Sequence, residues 1–159
     1  DTLEWMVANL SVTYYNDGTA IGASDVFVYD SDASNIPAYG RLYSWNAVAS
    51  GRLCPMGWRV PSKEEWMNLL EGNETSALRV PEPAWVGHAN NQSGLSIKAG
   101  GLTDGVGNFS GKGALGYYWT GTASGGNNAS SIGFTPGTGN PLIEENYDQT
   151  YGMSVRCVR

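Results

Sequence analysis

The chain has 159 residues, of which 15 % are charged, and it carries 22 glycines and a net charge of −6. This length fits one domain, residues 1–159, and its many Trp and Tyr residues are not typical of a disordered chain. Lys and Arg form no cluster, so binding to the phosphate backbone of nucleic acid is not expected. No apolar run approaches the ~18 residues of a spanning helix, so insertion into a membrane is not expected either.

The first elements combine a strand with a helix. Residues 3–15 mix β-formers with partial alternation and predict a first strand. Residues 26–29 suit a short strand, and residues 30–37 a polar loop. In residues 39–51, apolar side chains recur three positions apart before a glycine, and this pattern predicts a first helix.

Residues 54–72 contain the best-specified element, a second helix. Ser62 followed by Glu65 is a capping-box pattern, in which the hydroxyl and the carboxylate satisfy free amides of the first turn. Trp66, Leu69 and Leu70 define one apolar face. Gly72 is placed to end the helix.

The rest of the chain alternates loops with short strands. After an irregular run at 73–94, the pattern predicts a brief strand at 95–101, a loop at 103–116, a strand at 117–122, a turn at 123–128, a strand at 129–135, a turn at 136–141, weak alternation at 142–151 and a closing strand at 153–159. We therefore predict a loop-rich α+β domain, with two helices beside a small antiparallel sheet and with its N- and C-terminal strands paired.

Two sequence features are candidates for a catalytic site or a metal site. His88 is the only histidine, and no Gly-x-Ser-x-Gly elbow lies near it, so a hydrolytic triad is not expected. Residues 30–35 begin like a calcium loop, but Asn35 and Arg41 stand where that loop needs Gly and Glu. We expect no metal site and no cofactor.

Cys54 and Cys157 are the only cysteines. A bridge between them would close a loop of about 100 residues and contribute about 4–5 kcal/mol in the chain-entropy model. Two free, buried thiols in a reducing compartment are the alternative.

Several segments together resemble the Fibrobacter succinogenes major paralogous domain, and the match spans nearly the whole chain. They are Trp5-Met6 with Asn9-Leu10, the run Tyr-Gly-Arg-Leu-Tyr-Ser-Trp at 39–45, Cys-Pro-x-Gly-Trp-x-Val-Pro-Ser at 54–62 with Glu65-Trp66 and Leu69, Tyr118-Trp119-Thr120, and Ser-Val-Arg-Cys-Val at 154–158.

This resemblance implies a C-type-lectin-like fold of the formylglycine-generating-enzyme type. It also implies a disulfide between Cys54 and Cys157, because such folds link the helical region to the last strand. Enzymes of that type work through active-site thiols, and no cysteine here is free of that structural role, so we do not expect an enzyme. Glu82-Pro83 is similar to a calcium-lectin sugar motif, but Ala84 replaces its Asn, so calcium-dependent sugar binding is not expected.

Residues 116–151 resemble the variable region of proteins diversified by retroelements, with Trp119 and residues 154–158 as the constant part. The resemblance implies a ligand-binding set of polar and aromatic residues with the composition of a paratope. The set is Tyr117, Thr122, Ser124, Asn127, Asn128, Asn146, Tyr147, Asp148 and Tyr151. Alternation places Tyr118 opposite to Tyr117 and Trp119, and we expect Tyr117 and Tyr147 to be more exposed than Tyr118 and Tyr151.

The sequence thus favours a non-catalytic recognition module that binds a protein or glycan receptor. We expect it to be extracellular, on a cell surface or on a virion. The alternative is a structural or adhesive domain of a secreted bacterial surface protein without diversification. A third hypothesis, a thiol enzyme of the formylglycine-generating type, requires reactive cysteines.

Overall fold

The structure is a computed structural model that describes residues 2–137 and 140–159. Within these residues the fold is mixed α/β, with four short helices and eight strands. The helices are α1 Ile36–Tyr39, α2 Trp45–Ala49, α3 Lys63–Glu71 and α4 Thr75–Leu78. The strands are β1 Val26–Phe27, β2 Leu42–Ser44, β3 Gly100–Thr103, β4 Phe109–Lys112, β5 Gly116–Gly125, β6 Asn128–Phe134, β7 Leu142–Asp148 and β8 Gly152–Met153. None of the helices in residues 2–137 and 140–159 is long and apolar enough to cross a membrane.

The strands form one open sheet in the order β1-β2-β8-β3-β5-β6-β7, and β4 pairs with β3. All paired strands are antiparallel except β3 and β5, which meet in parallel at Gly101 and Gly116. The sheet is larger than the one the sequence predicts, because the 103–116 segment contributes β4 and the 142–151 segment contributes β7. Part of the turn predicted at 136–141 lies outside the described residues.

The N- and C-terminal segments pair, as the sequence predicts. Trp5 forms an antiparallel bridge with Val158, and the Met6 and Leu10 amides donate to the carbonyls of Cys157 and Val155 at 3.0 Å. The prediction of one strand over residues 3–15 is nevertheless wrong. The chain bends after Met6 and bonds at intervals, so it forms isolated bridges and not a continuous ladder.

The helix predicted at 39–51 is also wrong in its first half. Leu42 and Tyr43 belong to β2, which lies between β1 and β8, and both side chains are buried. A strand that is buried on both faces has no polar face, so its apolar residues can imitate helical spacing. The helix itself is α2, which begins after Ser44, whose hydroxyl accepts from the Ala47 amide at 3.3 Å. The sequence does not predict α1 and α4, which have four residues each.

Helix α3 confirms the prediction from the capping box. The Glu65 amide donates to Ser62 Oγ at 3.2 Å, and the Ser62 amide donates to Glu65 Oε2 at 2.8 Å. Arg59 adds two hydrogen bonds to the same carboxylate, at 2.7 and 2.5 Å. The apolar face of α3 buries Trp66, whose ring lies 4.8 Å from Trp5 and 5.7 Å from Tyr118. The cap therefore fixes the helix that covers the sheet.

We expect this cap to make stability depend on pH. The hydrogen bonds from Arg59, and then that from the Ser62 amide, lower the pKa of Glu65 from 4.5 to about 2. Because the folded pKa lies below the ordinary value, the contribution is complete above pH 4.5 and is lost as pH falls toward 2. Glu65→Gln should cost about 1 kcal/mol of unfolding free energy at pH 7 and less at pH 3, measured by urea unfolding. Glu64→Gln, in the same turn, is the control, and an equal cost of Glu65→Gln at both pH values would contradict the prediction.

Two hydrophobic cores lie on opposite faces of β5. Tyr117 and Trp119 pack in a core with Tyr43, whereas Tyr118 packs in a second core with Trp66. The alternation predicted for these three aromatic residues is therefore confirmed. Both faces are covered, and this determines which side chains of the predicted ligand-binding set reach the surface.

A disulfide joins the approach to α3 with the closing segment. Cys54 and Cys157 are bonded, with their Cα atoms 6.0 Å apart and 103 positions apart in sequence. Both residues are buried in the first core. The Arg59 amide also donates to the carbonyl of Val158 at 2.9 Å, and the Val158 amide donates back at 2.8 Å. The segment before α3 is thus bound to the closing segment covalently and through the backbone.

Candidate functional site

The β5–β6 hairpin carries the first part of the predicted ligand-binding set at its tip. Its strands pair regularly from Gly116 to Trp119, and then the register shifts twice before the turn. Such irregularities twist a hairpin and turn its tip away from the sheet. Ser124 and Asn127 are exposed there, and Asn128 is half-buried.

A bulge in β7 decides which of its side chains share a face. Ser131 lies opposite Glu144, whereas Ala129 lies opposite Tyr147, so β7 has one extra residue over this interval. Without the bulge, Glu144 and Tyr147 would point to opposite faces. With it, both lie on the face of the sheet that carries Tyr117, and Tyr147 packs against that core.

The hairpin tip and the end of β7 meet in one surface. The Gln149 amide donates to the carbonyl of Asn127 at 2.8 Å, and Gln149 Nε2 donates to the carbonyl of Asn128 at 3.2 Å. Ser124 Oγ donates to the carbonyl of Glu145. Asn128 and Asp148 are also partners in the β6–β7 register. Residues about 20 positions apart in sequence therefore lie side by side.

Thr122 connects this surface to helix α3. Its Oγ1 accepts from the Lys63 amide at 3.1 Å, so the hydroxyl occupies one of the free donors at the helix start. Lys63 in turn forms a salt bridge with Glu145 of β7. Thr122 is half-buried, and its hydroxyl oxygen already accepts one hydrogen bond within the fold.

Three tyrosines form a chain of rings on the same face. The ring centroids of Tyr117 and Tyr147 lie 5.3 Å apart, as do those of Tyr147 and Tyr151. The hydroxyl of Tyr117 donates to Glu144 Oε1 at 3.2 Å. Burial raises the pKa of both Tyr117 and Tyr147, so both phenols are neutral at physiological pH and can donate hydrogen bonds.

The prediction that Tyr117 is exposed is wrong, because only 6 % of the residue is accessible. Its ring lies over Gly133, where a Cβ atom would come within 2.7 Å of the Tyr117 ring. The absence of a side chain at Gly133 makes room for the ring, and Tyr147 covers it. Tyr147 and Tyr151 are both half-buried. Tyr117 lies beneath them and supports the surface without being part of it.

The predicted set thus divides into three classes of exposure. The exposed members are Ser124, Asn127, Asn146 and Asp148; the half-buried members are Thr122, Asn128, Tyr147 and Tyr151; Tyr117 is buried. Sequence reasoning missed three charged residues that border this surface, namely Lys63, Glu144 and Glu145. The sequence shows the two adjacent glutamates of β7, but it does not show the bulge that determines which way they point or the approach of Lys63 from α3. We call the exposed and half-buried members, together with Glu144 and Glu145, the β7 surface.

A cavity of about 350 Å³ lies away from the β7 surface, between α4 and the loop around His88. Its lining includes Glu74, Ser76, Arg79 and His88. In the part of the chain that the structure describes, no hydrogen bond joins the His88 side chain to Ser76 or Glu74, so the cavity contains no assembled triad. The Arg79 guanidinium donates to the carbonyls of Thr135 and Gly137, at 3.0 and 3.4 Å, and thereby positions the end of β6.

The two calcium-like motifs, at residues 30–35 and at Glu82-Pro83, make hydrogen bonds within the fold. Asp32 accepts from the Ser34 amide at 2.9 Å, and Asn35 Nδ2 donates to the carbonyl of Tyr29 at 3.0 Å. Glu82 is buried and accepts from the Ala99 amide at 3.3 Å and from the Tyr39 hydroxyl at 3.2 Å. Among residues 2–137 and 140–159, no group of three or more His, Cys, Asp or Glu side chains is arranged to hold a metal ion.

Comparison with known proteins identifies a family. No curated protein sequence and no solved structure shows significant similarity to the chain. A family model, that of the Fibrobacter succinogenes major domain, matches residues 1–159. The bonded ends and the segment around α3, where the family resemblance lies, are the parts that the disulfide and the two cores hold together. The chain belongs to the Fibrobacter succinogenes major domain family.

Proposed function

We propose that the protein is a non-catalytic recognition module that binds a protein or glycan receptor through the β7 surface. The observation that carries this proposal is the meeting of the β5–β6 tip with the end of β7, which gathers Ser124, Asn127, Asn146 and Asp148 into one exposed region. Small polar side chains beside tyrosine rings can adapt their hydrogen bonds, while the rings supply rigid contact area. The buried strands beneath keep this region in place.

The proposal extends to the fold type and the location of the protein. We propose that the fold is of the C-type-lectin-like type. The paired ends and the disulfide from the helical region to the closing segment support this. A disulfide persists in oxidising environments, which supports an extracellular, cell-surface or virion location. Both cysteines are bonded to each other, and this supports a role without thiol catalysis.

Substitution of the exposed polar residues should weaken binding without unfolding the protein. We expect the triple variant Asn127→Ala, Asn146→Ala, Asp148→Ala to bind at least about tenfold more weakly, because truncation of central contacts removes most interface energy. Its melting temperature should stay within about 5 °C of the original, because all three residues are exposed and Asp148 loses only the hydrogen bonds that it accepts from Thr150. The measurement uses a glycan array and an array of bacterial envelope proteins, followed by titration of the binders found.

The matched control is Asn68→Ala with Gln92→Ala, which removes two exposed amides away from the β7 surface. Equal weakening by the control would contradict the proposal. Failure to bind any component of either array would favour the alternative, a structural or adhesive domain.

The proposal also includes diversification of residues 116–151 by a retroelement. It requires a near-identical template repeat of the segment encoding residues 116–151 near the coding sequence, together with a reverse transcriptase gene. Sequencing of the locus decides this, and a locus without both elements would leave a recognition domain of fixed specificity.

A further inference from the structure

We propose that the outer edge of β7 binds an extended peptide segment of a protein partner, in which Lys or Arg alternates with apolar residues. This inference rests on the proposed recognition function and narrows its partner to a basic β-strand. Four features carry it: the open edge of the sheet, the acidic face of β7, the apolar groove on its other face, and the charge that opposes pairing with a second copy.

Strand β7 is an end of the sheet. The strand order terminates there, and in the part of the chain that the structure describes β7 pairs with β6 alone. It has seven residues, and no proline lies between Leu142 and Asp148. A strand at the edge of a sheet presents a row of unpaired backbone N–H and C=O groups, which another strand can bind. A segment could therefore add to the sheet along β7, with its ladder interrupted at the bulge between Glu144 and Tyr147, where the Glu145 carbonyl already accepts from Ser124.

One face of this edge is acidic and aromatic. Glu144 and Tyr147 lie there, whereas Asp148 follows Tyr147 and points to the opposite face. The Thr150 amide donates to Asp148 Oδ1 at 2.9 Å, and this hydrogen bond lowers the pKa of the aspartate. Lys63 forms a salt bridge with Glu145 of this strand. A basic side chain of an added strand could bind Glu144 and lie against the tyrosine rings.

The other face borders an apolar groove between α3 and β7. Met67, Leu70, Pro141 and Ile143 form the apolar part of the lining of a cavity of about 280 Å³ there, and Glu71, Thr75 and Asn140 complete it. Ile143 is 39 % exposed. Side chains of an added strand alternate between the two faces, so those that point away from Glu144 would fill this groove. The two faces together specify alternation of basic and apolar residues.

The charge on β7 also argues against a second copy of this chain as the occupant. Antiparallel pairing of two β7 strands would bring the carboxylates of Glu144 and Glu145 near those of the other copy. Like charges across a strand pair are destabilising, and the chain as a whole carries a net charge of −6. A basic segment reverses this repulsion, which is why we assign the edge to a partner strand.

The test uses three synthetic peptides, each with the seven-residue length of β7. The first alternates Lys with Val, the second has the same sequence with N-methyl groups on alternate residues, and the third replaces Lys by Glu. We expect the first peptide to bind, with new hydrogen-exchange protection at β7 amides. The N-methylated and acidic peptides should bind at least about tenfold more weakly, because one cannot form the backbone ladder and the other is repelled.

A charge-matched pair of protein variants completes the experiment. Glu144→Gln should weaken binding of the first peptide about threefold to tenfold, and added salt should narrow the difference. Asp30→Asn, which removes the same charge in the turn that contacts β3 and β4, should leave binding unchanged. Absence of binding, equal binding of the N-methylated peptide, or equal effects of both variants would overturn the inference.

The two proposals fail separately. If receptor binding depends on Asn127 and Asn146 but no basic peptide binds β7, the strand-addition inference is wrong and the recognition function stands. If the basic peptide binds but the triple variant retains every array binder, the edge assignment holds and the proposed surface is wrong.

Discussion

Replacement of Cys54 and Cys157 by serine is expected to lower the free energy of unfolding by about 4–5 kcal/mol. The reason lies mainly in the unfolded chain, where the bond between residues 103 positions apart restricts the conformations available. Most small domains are stable by only about 5–15 kcal/mol, so this loss would leave the protein close to unfolding. Urea unfolding of the protein and of the double variant measures the difference.

Reduction provides the control for the disulfide experiment. Dithiothreitol should destabilise the original protein by a similar amount and leave the double serine variant unchanged. A difference below about 1 kcal/mol between the original protein and the double variant would show that the bond does not constrain the unfolded chain as loop closure requires.

The second large effect is expected at Arg156, which is completely buried. Its Nε donates to Asn9 Oδ1 at 2.7 Å, and its Nη1 donates to the carbonyls of Met6 and Leu95, both at 2.7 Å. Its Nη2 donates to the carbonyl of Ser96 at 2.6 Å. One guanidinium thus connects the N-terminal segment, the segment before β3 and the closing segment.

Arg156→Ala should lower the free energy of unfolding by about 3–5 kcal/mol, because several buried acceptors lose their donor at once. Arg159→Ala is the matched control, since Arg159 is exposed and pairs with Glu4 at the surface; we expect it to cost less than about 1 kcal/mol. Thermal and urea unfolding of both variants give the comparison. Similar costs at the two positions would mean that the acceptors around Arg156 find other donors.

Elements defined by local chemistry were predictable from the sequence. Helix α3 forms where the capping box predicts it, because Ser62 and Glu65 satisfy the first turn without help from distant residues. The alternation of Tyr117 and Tyr118 follows from a short, regular strand pattern. In contrast, the pattern at 39–51 predicts helix where β2 forms, because Leu42 and Tyr43 are buried between β1 and β8, and β8 comes from the far end of the chain.

The candidate site was less predictable, since its arrangement depends on sheet irregularities. The bulge in β7 places Glu144 and Tyr147 on one face, although simple alternation separates them. Tyr117 is buried because Gly133 leaves space for its ring. Neither the position of a bulge nor the approach of a ring to a distant glycine can be derived from composition or periodicity, so the exposure of these residues could not be predicted from the sequence.

The position of β8 has a consequence for how the protein folds. Gly152–Met153 pairs with β2 on one side and with β3 on the other, so the last strand of the chain lies inside the sheet. The two parts of the sheet can therefore join only after residues 152–158 have been synthesised. In a nascent chain, the edges of β2 and β3 that bind β8 remain unpaired until β8 emerges. Pairing of strands that lie far apart in sequence is slow. Folding of this domain is accordingly expected to complete only after its whole sequence has left the ribosome.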